Sequence, residues 1–226
     1  RLNLEASLEG YYKTVDHLVE VKDGANLMYS KIPETNIIQG DLKAYGIEFM
    51  LRKTSGDLNG WINYTWSGTS VKAVNPARGE SNNLGFSYPA NYDKPHSLNL
   101  TLNYKLTKRW SFSANLVYAT GRPITYPKSI YYQQGMQITG FSQRNESRLP
   151  DYFRADLSIN YEGNLKKDKF AHGSWSLSFY NLTGRRNPYS VYFTNENGNI
   201  QGYTLSIFGT VIPSITYNFK LGNYED

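Results

Sequence analysis

The sequence predicts an all-β protein, an antiparallel β-barrel of about eight strands that crosses a membrane, and three observations carry that reading. The first is the run Ser97 to Leu106, where Leu98, Leu100, Leu102, Tyr104 and Leu106 alternate with Ser97, Asn99, Thr101, Asn103 and Lys105. A period of two gives a strand one apolar and one wet face. The second is repetition: the pattern returns along the chain in segments of about ten residues, separated alternately by tight turns and long polar loops, as membrane barrels require. The third is composition, with 39% hydrophobic residues and a mean hydropathy of -0.57. No apolar stretch approaches the ~20 residues that a spanning helix needs, whereas a barrel strand turns only alternate side chains to lipid and keeps its average low. The 20 Tyr, 10 Phe and 4 Trp suit aromatic girdles at the two membrane interfaces.

The segments follow in order. Leu2 to Lys13 sets Leu2, Leu4, Ala6, Leu8 and Tyr12 against Asn3, Glu5, Ser7, Glu9 and Lys13. Leu42 to Lys53 sets Tyr45, Ile47, Phe49 and Leu51 against Ala44, Gly46, Glu48 and Arg52, and Leu58 to Thr69 sets Leu58, Ile62, Tyr64 and Trp66 against Asn59, Asn63, Thr65 and Ser67. After the run at Ser97 come Trp110 to Thr120, with Trp110, Phe112, Ala114, Leu116 and Tyr118 apolar, and Tyr152 to Glu162, where Phe153, Ala155, Leu157, Ile159 and Tyr161 oppose Arg154, Asp156, Ser158, Asn160 and Glu162. Ser174 to Leu182 opposes Trp175, Leu177 and Phe179 to serines, and Thr204 to Leu221 closes the series with Ile215, Tyr217, Phe219 and Leu221 on its apolar face.

Connection lengths orient the sheet. Thr54-Ser55-Gly56-Asp57, Thr107-Lys108-Arg109 and the longer bend from 163 to 173 read as periplasmic turns. Residues 14–41, 70–95, 121–151 and 183–203, rich in Gly, Pro, Asn and Tyr, read as extracellular loops, and an even strand number puts both termini in the periplasm. Tyr189 to Thr194 and Ile200 to Leu205 alternate around an Asn-Gly step, which predicts a hairpin extending the barrel strands above the membrane. The chain opens inside an alternating strand with no signal-peptide pattern ahead of it, so either a leader has been removed or the chain starts in mid-protein.

Chemistry-bearing motifs are few. With no Cys there is no disulfide framework, thiolate nucleophile or Cys-ligated metal. The net charge of +5 is scattered over turns and loops rather than gathered in a stripe, which argues against nucleic acid. His17, His96 and His172 are isolated. Asp93 beside His96 is the one arrangement that could activate water in an outer-membrane hydrolase, against the plainer reading of Asx-type loop chemistry at Asp93. No phosphate loop, dinucleotide fingerprint or metal-ligand spacing occurs, so no cofactor is expected. Candidate lumen-lining residues are Glu48, Arg52, Asn99, Asn103, Arg154, Asp156 and Glu162, and candidate ligand contacts in the loops are the aromatics Tyr126, Tyr131, Tyr132, Phe141, Tyr189, Tyr192 and Phe193. Asn-x-Thr triplets at Asn63, Asn99 and Asn181 match the glycosylation pattern but fall in or at the ends of membrane strands.

With these segments placed, the stretches Asn3 to Lys13, Ala44 to Glu48, Gly60 to Thr65, Tyr118 to Pro123, Arg148 to Arg154, Asn181 to Thr183 and Pro213 to Phe219 make the chain resemble the C-terminal barrel portion of a TonB-dependent outer-membrane receptor of the Bacteroidota type. The resemblance implies a 22-stranded barrel closed by an N-terminal plug, of which residues 1–226 would be a C-terminal segment without plug or N-terminal strands. It further implies a Gram-negative outer-membrane location, energised uptake of a bulky solute, and no enzymatic activity. The partners it implies are outer-membrane lipid, the remaining strands and plug, the TonB complex, and a surface lipoprotein of the SusD-like kind. Unpaired strand edges in lipid cost several kcal/mol per backbone group, so the edges must pair with missing strands or close on each other as a stand-alone eight-stranded structural barrel or adhesin. Small polar inner faces favour the wide wet lumen. The final strand ends in Tyr217 and Phe219 but continues through Lys220 to Asp226, a departure from the terminal Phe usual in such barrels.

Overall fold

A computed structural model describes residues 3–25, 27, 30–163, 171–196 and 199–221. Eight long strands form one antiparallel sheet: β1 (Leu4–Val21), β2 (Ile37–Lys53), β3 (Leu58–Asn75), β4 (His96–Lys105), β5 (Trp110–Ala119), β6 (Tyr152–Glu162), β7 (Ala171–Tyr180) and β8 (Ile212–Leu221). Each pairs with its sequence neighbours in a simple meander, and among the described residues β1 and β8 lie at opposite ends without pairing, so these strands do not close into an eight-stranded barrel.

Register keeps like against like. Leu8 faces Phe49, Tyr12 faces Tyr45, and Ile47 faces Trp66, while Leu100 sits between Ile62 and Leu116. A slip of one residue would exchange the two faces, so lipid on one side and water on the other fix the pairing. On the apolar face Leu8 is 72% exposed and Ile215 71%, which is burial once lipid is the solvent. Aromatic residues band that face at both levels. Trp110 meets Tyr161 at 4.8 Å and Trp175 meets Tyr217 at 4.7 Å near the short turns, and Tyr45 meets Trp66 at 5.8 Å near the loops. From Trp110 to Tyr118 is about 26 Å of strand, close to the roughly 25 Å apolar band of an outer-membrane barrel.

The opposite face is a ladder of small polar side chains. The Thr101 hydroxyl donates to Asn115 at 2.9 Å, Asn103 to Asn59 at 3.3 Å, and Ser176 to Asn160 at 2.7 Å, with Ser158 and Ser178 2.9 Å apart. At the turn end, Arg109 reaches from one turn to the next, donating to the Tyr161 hydroxyl and the Gly163 carbonyl. The bend between β6 and β7 falls largely outside the described residues, as do Leu2 and the tail from Gly222.

Several boundaries differ from the sequence reading. β1 runs to Val21, β2 starts at Ile37 and β3 reaches Asn75, so the first two loops are much shorter than residues 14–41 and 70–95. Above the membrane both faces meet water or protein, so alternation, the signal that marks the lower halves, disappears. A bulge between Val15 and Leu18, with His17 at φ 57°, also breaks the period. The inner face there turns apolar: Leu42, Val71, Tyr88 and Ala90 form a buried cluster against Val15, Leu18 and Ala44. β8 starts at Ile212, because Thr204 to Ser206 belong to the hairpin of Pro188–Glu196 with Asn199–Ser206. That hairpin, whose turn at residues 197–198 lies outside the described residues, forms its own two-stranded sheet and does not extend the barrel strands. A second hairpin pairs Pro127–Gln133 with Met136–Phe141 inside what the sequence shows only as a long loop.

Candidate functional site

Two arginines tie the loops together. Arg144, between β5 and β6, donates to Glu20 near the end of β1 and to Asp23 just beyond it at 2.8 Å each and to the Val21 carbonyl at 2.9 Å, and lies 4.9 Å from the Tyr88 ring. Asn82 completes the knot by accepting from the Asp23 N–H and donating to the Val21 carbonyl, both at 3.0 Å, while Asp23 accepts from the Asn83 N–H at 2.6 Å. Burial pushes the Tyr88 hydroxyl above its ordinary value. Arg148 pairs with Asp93 and also donates to the Asp93 and Gly121 carbonyls. Sequence reading missed both arginines, since nothing local marks a partner some 55 or 120 residues away.

On the polar face at the loop end of β4 to β7 lies a cavity of about 590 Å³. Its wall is Ser97, Val117, Ala119, Tyr152, Arg154 and Tyr180; its rim is Lys94, Gly121, Arg122, Leu149, Asn187, Tyr189 and Phe208. Side chains that imitate backbone hold the rim. Asn187 accepts from the Phe153 N–H at 2.9 Å and donates to the Phe153 carbonyl at 2.8 Å, and Asn181, in the left-handed region at φ 52°, donates to the Arg185 and Phe208 carbonyls at 3.0 Å each. The Asn181 side chain is thus fully engaged, which explains why this triplet is a turn element. Asp151 accepts from the Gly121 N–H at 3.0 Å and from the Tyr118 hydroxyl at 2.7 Å. These bonds, with Arg185 and Arg148 nearby, hold its carboxyl below the usual range.

The expected lumen residues share the polar face without converging. Arg154 and Asp156 pair at 3.1 Å; Arg154 also donates to the Tyr180 hydroxyl at 3.0 Å, and Asp156 accepts from the Asn181 N–H at 2.9 Å. Arg52 faces Glu5 at 3.8 Å, and Glu48 faces Glu9 across the β1–β2 ladder. Asn99 lies between Asn63 and Val117, Asn103 bonds Asn59, and Glu162 sits at the turn end of β6 opposite Ser174. The loop aromatics are spread out. Tyr189 lines the 590 Å³ cavity, Phe141 a 760 Å³ cavity beside Arg144, and Tyr126 and Phe193 a 480 Å³ cleft between the two hairpins. Tyr192 stacks on Tyr203 within its own hairpin at 5.4 Å, and Tyr131 and Tyr132 stand exposed on the other. Asp93 and His96 engage different partners. Asp93 accepts from the Thr69 N–H at 2.7 Å and binds Arg148, a bridge to β3 rather than an Asx turn, whereas His96 Nδ1 bonds the Tyr64 hydroxyl at 2.8 Å.

An antiparallel meander with an aromatic-banded apolar surface, a hydrogen-bonded polar surface, short turns at one end and knotted loops at the other is a wall of a transmembrane β-barrel. The family described as "TonB dependent receptor-like, beta-barrel" matches residues 1–182. The chain belongs to this family of receptor barrels. No curated protein matches it. Among solved structures it is similar to the ferripyoverdine receptor of the outer membrane of Pseudomonas aeruginosa bound to ferripyoverdine, at 13% identity and a TM-score of 0.48, over 96% of this chain. The chain spans about a quarter of that receptor's length, 24%.

Proposed function

We propose that this chain is the wall and loop portion of a TonB-dependent outer-membrane receptor that takes up a bulky solute at the expense of TonB-transmitted energy. The observation that carries the reading is the pairing of family membership with two-faced strands: apolar and aromatic side chains on one face, and on the other hydrogen-bonded Ser, Thr and Asn side chains suited to a wet lumen. The unpaired edges of β1 and β8 then pair with further strands of a 22-stranded barrel enclosing a plug. The short-turn end, where Leu4 pairs with Lys53 and Ala171 with Leu221, faces the periplasm. Partners are TonB through the plug and a SusD-like lipoprotein over the loops.

Two measurements test this. Mass spectrometry of medium spent by cells with and without the receptor, in TonB-competent and TonB-null backgrounds, should show a solute depleted only when both are present. Identical depletion in all four backgrounds refutes uptake. A density map of the native particle should show extra strands beside Leu4–Val21 and Ile212–Leu221; a seam joining those two strands refutes the larger barrel.

A further inference from the structure

The charges around the loop cavities are not distributed alike. In the 760 Å³ cavity, Arg144 is already neutralised by Asp23, and Lys22 by Glu80 at 2.7 Å. The 590 Å³ cavity differs: Lys94, Arg122 and Arg154 line it, and no carboxylate does among the described residues. The carboxylates of the flanking segments are engaged by other groups, Asp93 by Arg148 and the Thr69 N–H. Asp156 is held by Arg154 and the Asn181 N–H, and Asp151 by the Gly121 N–H and the Tyr118 hydroxyl. Lys94 and Arg122 form no ion pair among the described residues, and both are exposed on the lumen side of the sheet. Two uncompensated cations at a concave, partly apolar site attract negative charge and bond it in charge-assisted fashion.

The size and shape of the site fit a small molecule. A volume of about 590 Å³ is within the ordinary range for ligand cavities, and Leu149, Ile207 and Phe208 supply apolar surface beside the cations. Its floor is rigid, because Arg154 is fixed between Asp156 and Tyr180, with its guanidinium 4.6 Å from the Tyr180 ring. Lipid headgroups do not reach it, since the wall residues Ser97, Val117 and Arg154 share the face of the Ser and Asn ladder rather than the aromatic-banded one.

We propose that this cavity binds an anionic group of the solute, a carboxylate or phosphate, through Lys94 and Arg122, with an adjoining apolar part of it against Phe208 and Leu149. The assignment rests on the uptake reading for its biological role, but the binding itself is independent of TonB. The test uses the purified full-length receptor in detergent, titrated calorimetrically with pyrophosphate, tricarballylate and, as a neutral control, maltotriose. Saturable binding of at least one anion and none of maltotriose is expected. The double variant Lys94→Gln/Arg122→Gln should weaken anion binding at least tenfold, and raising the salt should weaken it in the parent. Retained heat-shifted gel mobility shows that the variant barrel is folded. Absence of binding by both anions, equal binding of maltotriose, or undiminished binding by a folded double variant overturns the proposal. If anions bind as expected while TonB deletion leaves solute depletion unchanged, the uptake reading fails and the anion site stands.

Discussion

Replacing Arg144 with Ala should open the loop knot without disturbing the membrane sheet. The side chain makes three charge-assisted contacts, to Glu20, Asp23 and the Val21 carbonyl, and is itself mostly buried, as is Glu20. Asp23 is about half exposed, so its share is screened and counts for little. The loss then falls chiefly on Glu20, left short of a donor at about 1 to 3 kcal/mol, since the Val21 carbonyl keeps the Asn82 amide. A loss of about 1 to 3 kcal/mol corresponds to a roughly 5- to 150-fold increase in local opening. Hydrogen exchange read by mass spectrometry should show it at the Asp23 and Asn83 amides, both bonded within the knot. Amides of β4 and β5, paired on both sides, should exchange as before. Unchanged exchange at Asp23 and Asn83 would refute the view that Arg144 holds the first two loops in place.

Three further outcomes follow from the same contacts. Asn181→Ala should lower the temperature of the gel-mobility transition more than Asn181→Gly, because both lose the amide bonds to Arg185 and Phe208 but only Ala also strains φ 52°, at about 1 kcal/mol or more; equal transitions would dismiss the left-handed contribution. Gly60→Ala should impair assembly, since φ there is 150° and a Cβ would collide with the Thr101 carbonyl of β4, and a normal yield of heat-shiftable receptor would contradict it. Lys128 and the Gln143 N–H hold the Glu146 carboxyl below its usual 4.5. Their stabilisation is present above the unfolded value and is lost only as pH falls through the lowered folded one, so protection against exchange around residues 143–146, taken relative to the intrinsic rate at each pH, should stay flat from pH 7 to 5 and fall only at more acid pH.

The strands crossing the bilayer were legible because lipid on one side and water on the other impose a period of two on the amino-acid sequence. β6 has the bounds the pattern predicts, Tyr152–Glu162, β4 differs from its predicted bounds by one residue at each end, and β5 by one at its last residue. The same rule explains the failures. β1, β2 and β3 continue above the membrane, where Leu42 and Val71 pack inward against Tyr88 and no solvent contrast writes an alternation. The short turns were likewise readable, being local chemistry: Thr107, for example, accepts from the N–H groups of Arg109 and Trp110.

What the sequence by itself determined is the two-faced strand and its repetition, hence an all-β membrane wall with alternating short and long connections. It also singled out Arg154 and Asp156 as charges on the polar face, though not that they are spent on one another and on the Asn181 turn. Only the tertiary structure decided how the loops close, since Arg144 and Arg148 find partners on other connections and no periodicity encodes contacts between distant segments. The cationic cavity belongs to that second class. Lys94, Arg122 and Arg154 are scattered single residues in the chain, and they become neighbours because strands β4 to β7 bring the ends of three connections to one rim.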